Sequence, residues 1–210
     1  VADEDTTIWL FGTIHILPPG INWYSKSIKT ALDASDTLVT EIVNATDPEV
    51  QTKIAQISLS DPATNLRDGL PADLRAKYEE ALTSLQIPVS AFDAYDPWYA
   101  AIALSTVPLM REGFGTMNGA ETLLIAHAQG KPHTGLETAE WQLSLFDGLP
   151  RETQLTYLSE VIEGLPEIQK DVFAMVNAWK SGQASKLAAL MNEDESLPML
   201  RQILLVDRNI

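Results

Sequence analysis

Thr37-Leu38-Val39-Thr40-Glu41-Ile42-Val43 is the stretch on which the fold turns. Thr and Val favour extended backbone because a branched Cβ fits the pleated surface, so this run predicts a strand. Asp36 supplies the turn in front of it. Upstream, Tyr24, Ile28, Ala31 and Leu32 recur at i, i+4, i+7 and i+8, one face of a helix beginning after the Pro18-Pro19-Gly20 turn. Further upstream, Thr7-Ile8-Trp9-Leu10-Phe11 is a short apolar, β-rich run ending at Gly12, and it predicts a buried strand. The first 43 residues therefore read strand, helix, strand: a βαβ unit with parallel strands.

Downstream, Asp47 to about Gly113 reads as helix. Leu74, Tyr78, Leu82 and Leu85 make one amphipathic face, and Asp96 to Met110 makes a more apolar, buried helix. Gly113, Gly115 and Gly119 mark a loop, and Ala120, Leu123, Leu124 and Ala128 a short helix that stops at Gly130. Lys131 to Glu137 reads as a third strand, with Pro132 and Gly135 as its unusual members. Beyond it come three helical faces: Leu155/Leu158/Ile162/Leu165, Ile168/Val172/Met175/Trp179 and Leu197/Leu200/Ile203/Leu204. The five Trp residues read mostly as core. The expected fold class is α/β, a small, mainly parallel sheet built from βαβ units with a large helical insertion, helix-rich overall. Residues 1–45 and 114–140 form the core segments that carry the site. Residues 46–113 form the insertion, and 141–210 a helical region leading toward a core-closing segment.

The chain has 210 residues, 45% of them hydrophobic, which is enough to bury a substantial core and excludes disorder as a description of the whole. It contains no Cys, so a disulfide scaffold, a thiolate nucleophile and a Cys-ligated zinc are ruled out. A net charge of −15, with dispersed Lys and Arg, argues against nucleic acid and against a polybasic lipid contact. Pro97 to Met110 is too short to span a bilayer, which requires roughly 20 residues, so no transmembrane segment is expected.

Three ionisable residues occupy equivalent places. His15 lies just past the first strand in Gly12-Thr13-Ile14-His15, Glu41 near the end of the second, and Glu137 at the end of the third. In an open parallel α/β sheet, ligands bind outside the carboxyl ends of the strands. An imidazole and two carboxylates meeting there suit a divalent metal or general acid–base work, and Gly12 would let the backbone turn tightly and approach a ligand. Each residue also has a plain alternative: His15 as a surface loop residue, Glu41 as a solvent-facing strand residue, Glu137 as a favourable charge at the next helix N-terminus. His127, within a helix, and His133, entering a strand, read as structural. Phosphate-loop, His-Glu-x-x-His and Gly-x-Ser-x-Gly patterns are absent from the sequence.

Leu10-Phe11-Gly12-Thr13-Ile14-His15, with Pro18, Pro19 and Trp23 behind it, resembles the opening of the TraB/GumN family, to which the Tiki metalloproteases are related. Further matches follow in order: Glu41 at a strand end, Pro97-Trp98, Gly119-Ala120-Glu121 leading to Ala126, Gly130-Lys131-Pro132 with Gly135-Leu136-Glu137-Thr138, Gln142, Phe146, Trp179, Gly182 and Arg208-Asn209. The resemblance implies a divalent-metal-dependent hydrolase of the peptidase kind, acting on a peptide or protein substrate. It makes His15 and Glu41 the metal ligands or catalytic groups, Glu137 their support, and Arg208 a group that stabilises an anionic intermediate or orients a carboxylate. Glu121 stands where relatives often carry Asp, which implies a substrate-side role there.

The family pattern continues with a second Gly-x-x-His after Arg208, which is not found before Ile210. The expectation is thus a chain short of its closing segment, with an open sheet edge covered by a second copy or another partner chain. The resemblance also leaves alternatives open: a non-catalytic module binding haem or a peptide through His15, or a regulatory protein with a vestigial site. An acidic start at Val1, with Asp3, Glu4 and Asp5, suits a mature end after export or an imposed boundary. The expected location is periplasmic or otherwise exported, with a cytoplasmic one still open.

Overall fold

A computed structural model describes residues 1–43 and 47–192. The run around Thr40 forms strand β1, Leu38–Ile42, and its neighbour is β2, His133–Glu137. The two are parallel, with Leu38 opposite His133 and Ile42 opposite Glu137. Parallel neighbours need a long crossover, and the helices between them supply it. Gly135 suits a close approach here, since a Cβ on it would lie 3.0 Å from the Val43 nitrogen and the neighbour would have to give by a few tenths of an ångström. Pro132 precedes the strand and costs it nothing; its carbonyl accepts from the Leu38 N–H.

The helices are α1 (Lys26–Ala34), α2 (Pro48–Ile57), α3 (Ala72–Ser84), α4 (Pro97–Arg111), α5 (Ala120–His127), α6 (Ala139–Asp147), α7 (Arg151–Gly164), α8 (Ile168–Lys180) and α9 (Ala184–Asn192). Their starts follow from local chemistry. Asp47 caps α2 through its side chain, with Pro48 behind it, and the Thr138 hydroxyl accepts from the Trp141 N–H at the head of α6. The apolar residues collect in two cores. Leu74, Tyr78 and Leu82 of α3, Trp98 and Leu104 of α4, and Tyr157, Leu158 and Ile162 of α7 make the first. Leu17, Trp23, Leu32 of α1, Leu109 at the end of α4, Leu124 of α5 and Val176 of α8 make the second. α4 joins them. The molecule is thus helix-rich α/β, with a small parallel sheet and long helical segments, and among the described residues no helix is long and apolar enough to cross a membrane.

The structure corrects one strand. Thr7–Phe11 is not paired with β1 or β2, so the described sheet has two strands rather than three. The reason is turn chemistry just upstream. The Asp3 carboxylate accepts from the N–H groups of Asp5 and Thr6, and Ala2 bridges Thr7 in an antiparallel pair. Such a side-chain turn offers the backbone an alternative to a ladder. Ile8, Trp9, Leu10 and Phe11 then stay exposed, Leu10 by 82%. The expectation for tryptophan holds for Trp23 and Trp98, whereas Trp9 and Trp141 are exposed. His127 is helical but is the last residue of α5 rather than mid-helix, and it stacks on Tyr24 at 4.1 Å. The expected helix at Leu197–Leu204 lies outside the described residues.

Candidate functional site

His15 does not sit at a strand end. The segment 14–17 is strapped along the loop before α5: Leu17 and Gly115 exchange backbone hydrogen bonds, and the Ala120 N–H donates to the Ile14 carbonyl at 3.0 Å. Gly119 makes the strap feasible, because a Cβ there would overlap the His15 carbonyl oxygen. In front of the strap, Phe11 stacks on Trp23 at 5.6 Å and the Trp179 indole donates to the Gly12 carbonyl at 2.7 Å. Gly12 itself does not require glycine: a Cβ would meet no described atom within 4 Å. Its expected tight turn is absent, and its carbonyl is an anchor instead.

From this strap the imidazole reaches two carboxylates. His15 Nδ1 lies 3.0 Å from Glu121 Oε1, at the first turn of α5, and His15 Nε2 lies 3.4 Å from Glu41 Oε2 on β1. Thr13, two residues before His15 and so on the same side of an extended chain, also donates to Glu121 Oε1. Glu41 Oε1 accepts from Gln142 Nε2 of α6 at 2.6 Å, and the same nitrogen donates to Glu137 Oε2 at 3.0 Å. The result is a chain of six side chains in the order Thr13, Glu121, His15, Glu41, Gln142, Glu137. It runs across the carboxyl ends of both strands.

The electrostatics follow from this order. The hydrogen bond to Glu121 raises the His15 pKa above its ordinary 6.5; burial opposes the rise, and the charges of Glu121 and Glu41 add to it. Burial pushes Glu121 upward, but hydrogen bonds from His15 and Thr13 outweigh it and hold the carboxyl below its ordinary 4.5. Glu121 is 18% exposed and the His15 side chain 67%. The second Glu121 oxygen is buried and lacks a hydrogen-bond partner among the described residues.

Of the expected residues, the structure brings His15, Glu41, Glu121 and Glu137 together. Arg208 lies outside the described residues. Glu137 directly precedes the N-cap of α6, which is Thr138. Thr13 and Gln142 stand among the residues that carry the resemblance, but their sequence positions assign them no chemical role. The signal for Thr13 is its two-residue spacing from His15, and for Gln142 a polar residue one turn into the helix that follows a strand-ending Glu. His133 is set apart, bonded to the Thr40 hydroxyl at 2.8 Å, in keeping with a structural part.

The family model described as TraB/PrgY/gumN matches residues 1–210. No curated protein and no solved structure matches the chain.

Proposed function

The chain belongs to the TraB/PrgY/gumN family, and on that premise we propose that it is a divalent-metal-dependent hydrolase of peptide bonds. The observation that carries the reading is one imidazole held between two carboxylates from separate elements, Glu121 of α5 and Glu41 of β1, with a third carboxylate joined through Gln142.

The donors suit a divalent cation in kind, being imidazole nitrogen and carboxylate oxygen. Ligand bonds of about 2.1 Å at a tetrahedral angle put two donors of one ion about 3.4 Å apart, and His15 Nε2 and Glu41 Oε2 stand 3.4 Å apart. Among the described residues no group of three or more His, Asp and Glu is arranged to hold an ion. This pair would therefore be the protein's contribution, with water and substrate oxygens beside it. A bound cation would polarise the scissile carbonyl and ease deprotonation of a water.

The protein's own groups divide the remaining work. Glu121 holds the proton of His15 Nδ1, which turns the Nε2 lone pair toward Glu41 and the mouth of the site. Glu137 accepts a proton from the attacking water and returns it to the leaving amine.

Calorimetric titration of Zn²⁺, Mn²⁺ and Co²⁺ into the chain, with peptide turnover followed by mass spectrometry, tests the reading. His15→Ala and Glu41→Gln are each expected to lower ion affinity at least about tenfold and to abolish turnover. Failure of all three ions to bind, or wild-type turnover in His15→Ala, overturns it. Peptide binding without cleavage would return the non-catalytic alternative.

A further inference from the structure

Glu41 and Glu137 lie on neighbouring parallel strands, and like charges brought together at one edge repel. Gln142 stands between them. A carboxamide nitrogen carries two hydrogens, and Gln142 Nε2 gives one direction to Glu41 Oε1 at 2.6 Å and the other to Glu137 Oε2 at 3.0 Å. Glu41 is thereby anchored at Oε1 by Gln142, while its Oε2 lies 3.4 Å from His15 Nε2. An unanchored carboxylate can swing about its last torsion, which is broad and roughly two-fold. Anchored at Oε1, it presents Oε2 to His15. The helix start adds rigidity: Thr138 caps α6, and the Gln142 N–H donates to the Thr138 carbonyl at 3.1 Å, so the amide is mounted on an ordered turn.

We propose that Gln142 is the positioning residue of this site, whose carboxamide ties the Glu41 and Glu137 carboxylates together and so fixes the Glu41 oxygen that faces His15. The proposal rests on the hydrolase reading for its consequence in catalysis, and on geometry alone for the tie itself. Gln142 touches neither the water nor the scissile bond in this scheme; it acts through the two carboxylates. A side chain that merely fills space would be replaceable by Met, which has the same unbranched length and no donor. A donor is not replaceable by Glu either, since a third carboxylate accepts where Gln142 donates and faces two like charges.

The test has two arms on the full chain. In the metal-free, ¹⁵N-labelled protein, the Gln142 side-chain amide signals are assigned by their loss in Gln142→Met. One of its two protons is expected to shift in Glu41→Gln and the other in Glu137→Gln. The His15 Nε2 resonance is expected to move in Gln142→Met, through Glu41. In the second arm, Gln142→Met and Gln142→Glu are expected to lower kcat about tenfold or more, the range for lost outer hydrogen bonds at such sites, with KM within twofold. Gln142→Asn, which keeps the amide but withdraws it by one methylene, serves where Gln142→Met does not fold. Amide signals indifferent to both carboxylate variants, an unmoved His15, or full kcat in Gln142→Met overturn the proposal. Expected shifts in a wild-type protein that cleaves nothing would end the hydrolase reading and leave the tie standing.

Discussion

α4 belongs to one of two kinds of organisation among the described residues. Its first half packs into the core of α3 and α7, where Trp98, Leu104, Tyr78, Leu82 and Leu158 are all within 1% of complete burial. The strand edge is the opposite: Leu136 is exposed by 76%, while six polar side chains from four separate stretches hold one another in line. Area removed from water holds the helical region, at roughly 25 cal/mol per Å² of apolar surface. Directional bonds hold the site, each worth only about 0.5–1.5 kcal/mol net. Stability and function are therefore expected to respond to different substitutions.

The largest effect should come from the helical side. Trp98→Ala removes a fully buried ring that stacks with Phe146 at 6.0 Å, and should cost about 3–5 kcal/mol in denaturant unfolding. Where the protein still folds, the His15 resonances should be unchanged. A perturbed His15 would mean that the two regions are coupled through α4.

Next is Gly119→Ala. The added Cβ overlaps the His15 carbonyl, so the strap must shift, at about 1–3 kcal/mol as for other overpacked sites. Ion affinity and turnover should fall at least tenfold, about 1.4 kcal/mol in free energy. A variant that loses stability and keeps ion affinity would break the link between strap and site.

A smaller, pH-dependent contribution comes from the polar chain. The folded pKa of His15 is raised, so its contribution is full below 6.5 and fades as pH climbs through the folded value. The folded pKa of Glu121 is lowered, so its contribution is full above 4.5 and fades as pH falls through the folded value. The pair should support the metal-free fold fully between these two ordinary values and less on either side. Unfolding midpoints measured across pH should show that dome in the wild type and a flatter profile in Glu121→Gln. Identical profiles would remove the pair from the account.

The same division explains what could be read from the sequence. The 3.6-residue spacing of Leu74, Tyr78 and Leu82 reports burial directly, and the structure buries all three. Thr37–Val43 was legible because β1 finds a partner. Thr7–Phe11 misled because strand propensity describes fit to a sheet, and the Asp3 turn sends this stretch elsewhere. Within the site, Glu41 and Glu137 were legible as strand ends, and His15 arrived by a route that propensity does not encode. Gln142 was opaque as a functional residue: its bond to Glu41 crosses 101 positions, and one-dimensional periodicity carries no signal for it.

Gly12→Ala should have the smallest effect on the fold and the most selective one on function. The position has open space for a Cβ and a backbone outside the left-handed region. Replacing such a glycine reduces the freedom of the unfolded chain and stabilises by about 0.4–1 kcal/mol where nothing clashes. The Trp179 bond to its carbonyl involves no hydrogen on Cα and should survive. If peptide backbone passes close to Gly12, the methyl group intrudes on substrate alone, and KM should rise several-fold while the unfolding midpoint holds or increases. If KM is unchanged, Gly12 serves only as the carbonyl that Trp179 anchors. The strand edge would then bind its ligand through the polar chain and the residues of α6, and the segment before His15 would belong, energetically, with the second core.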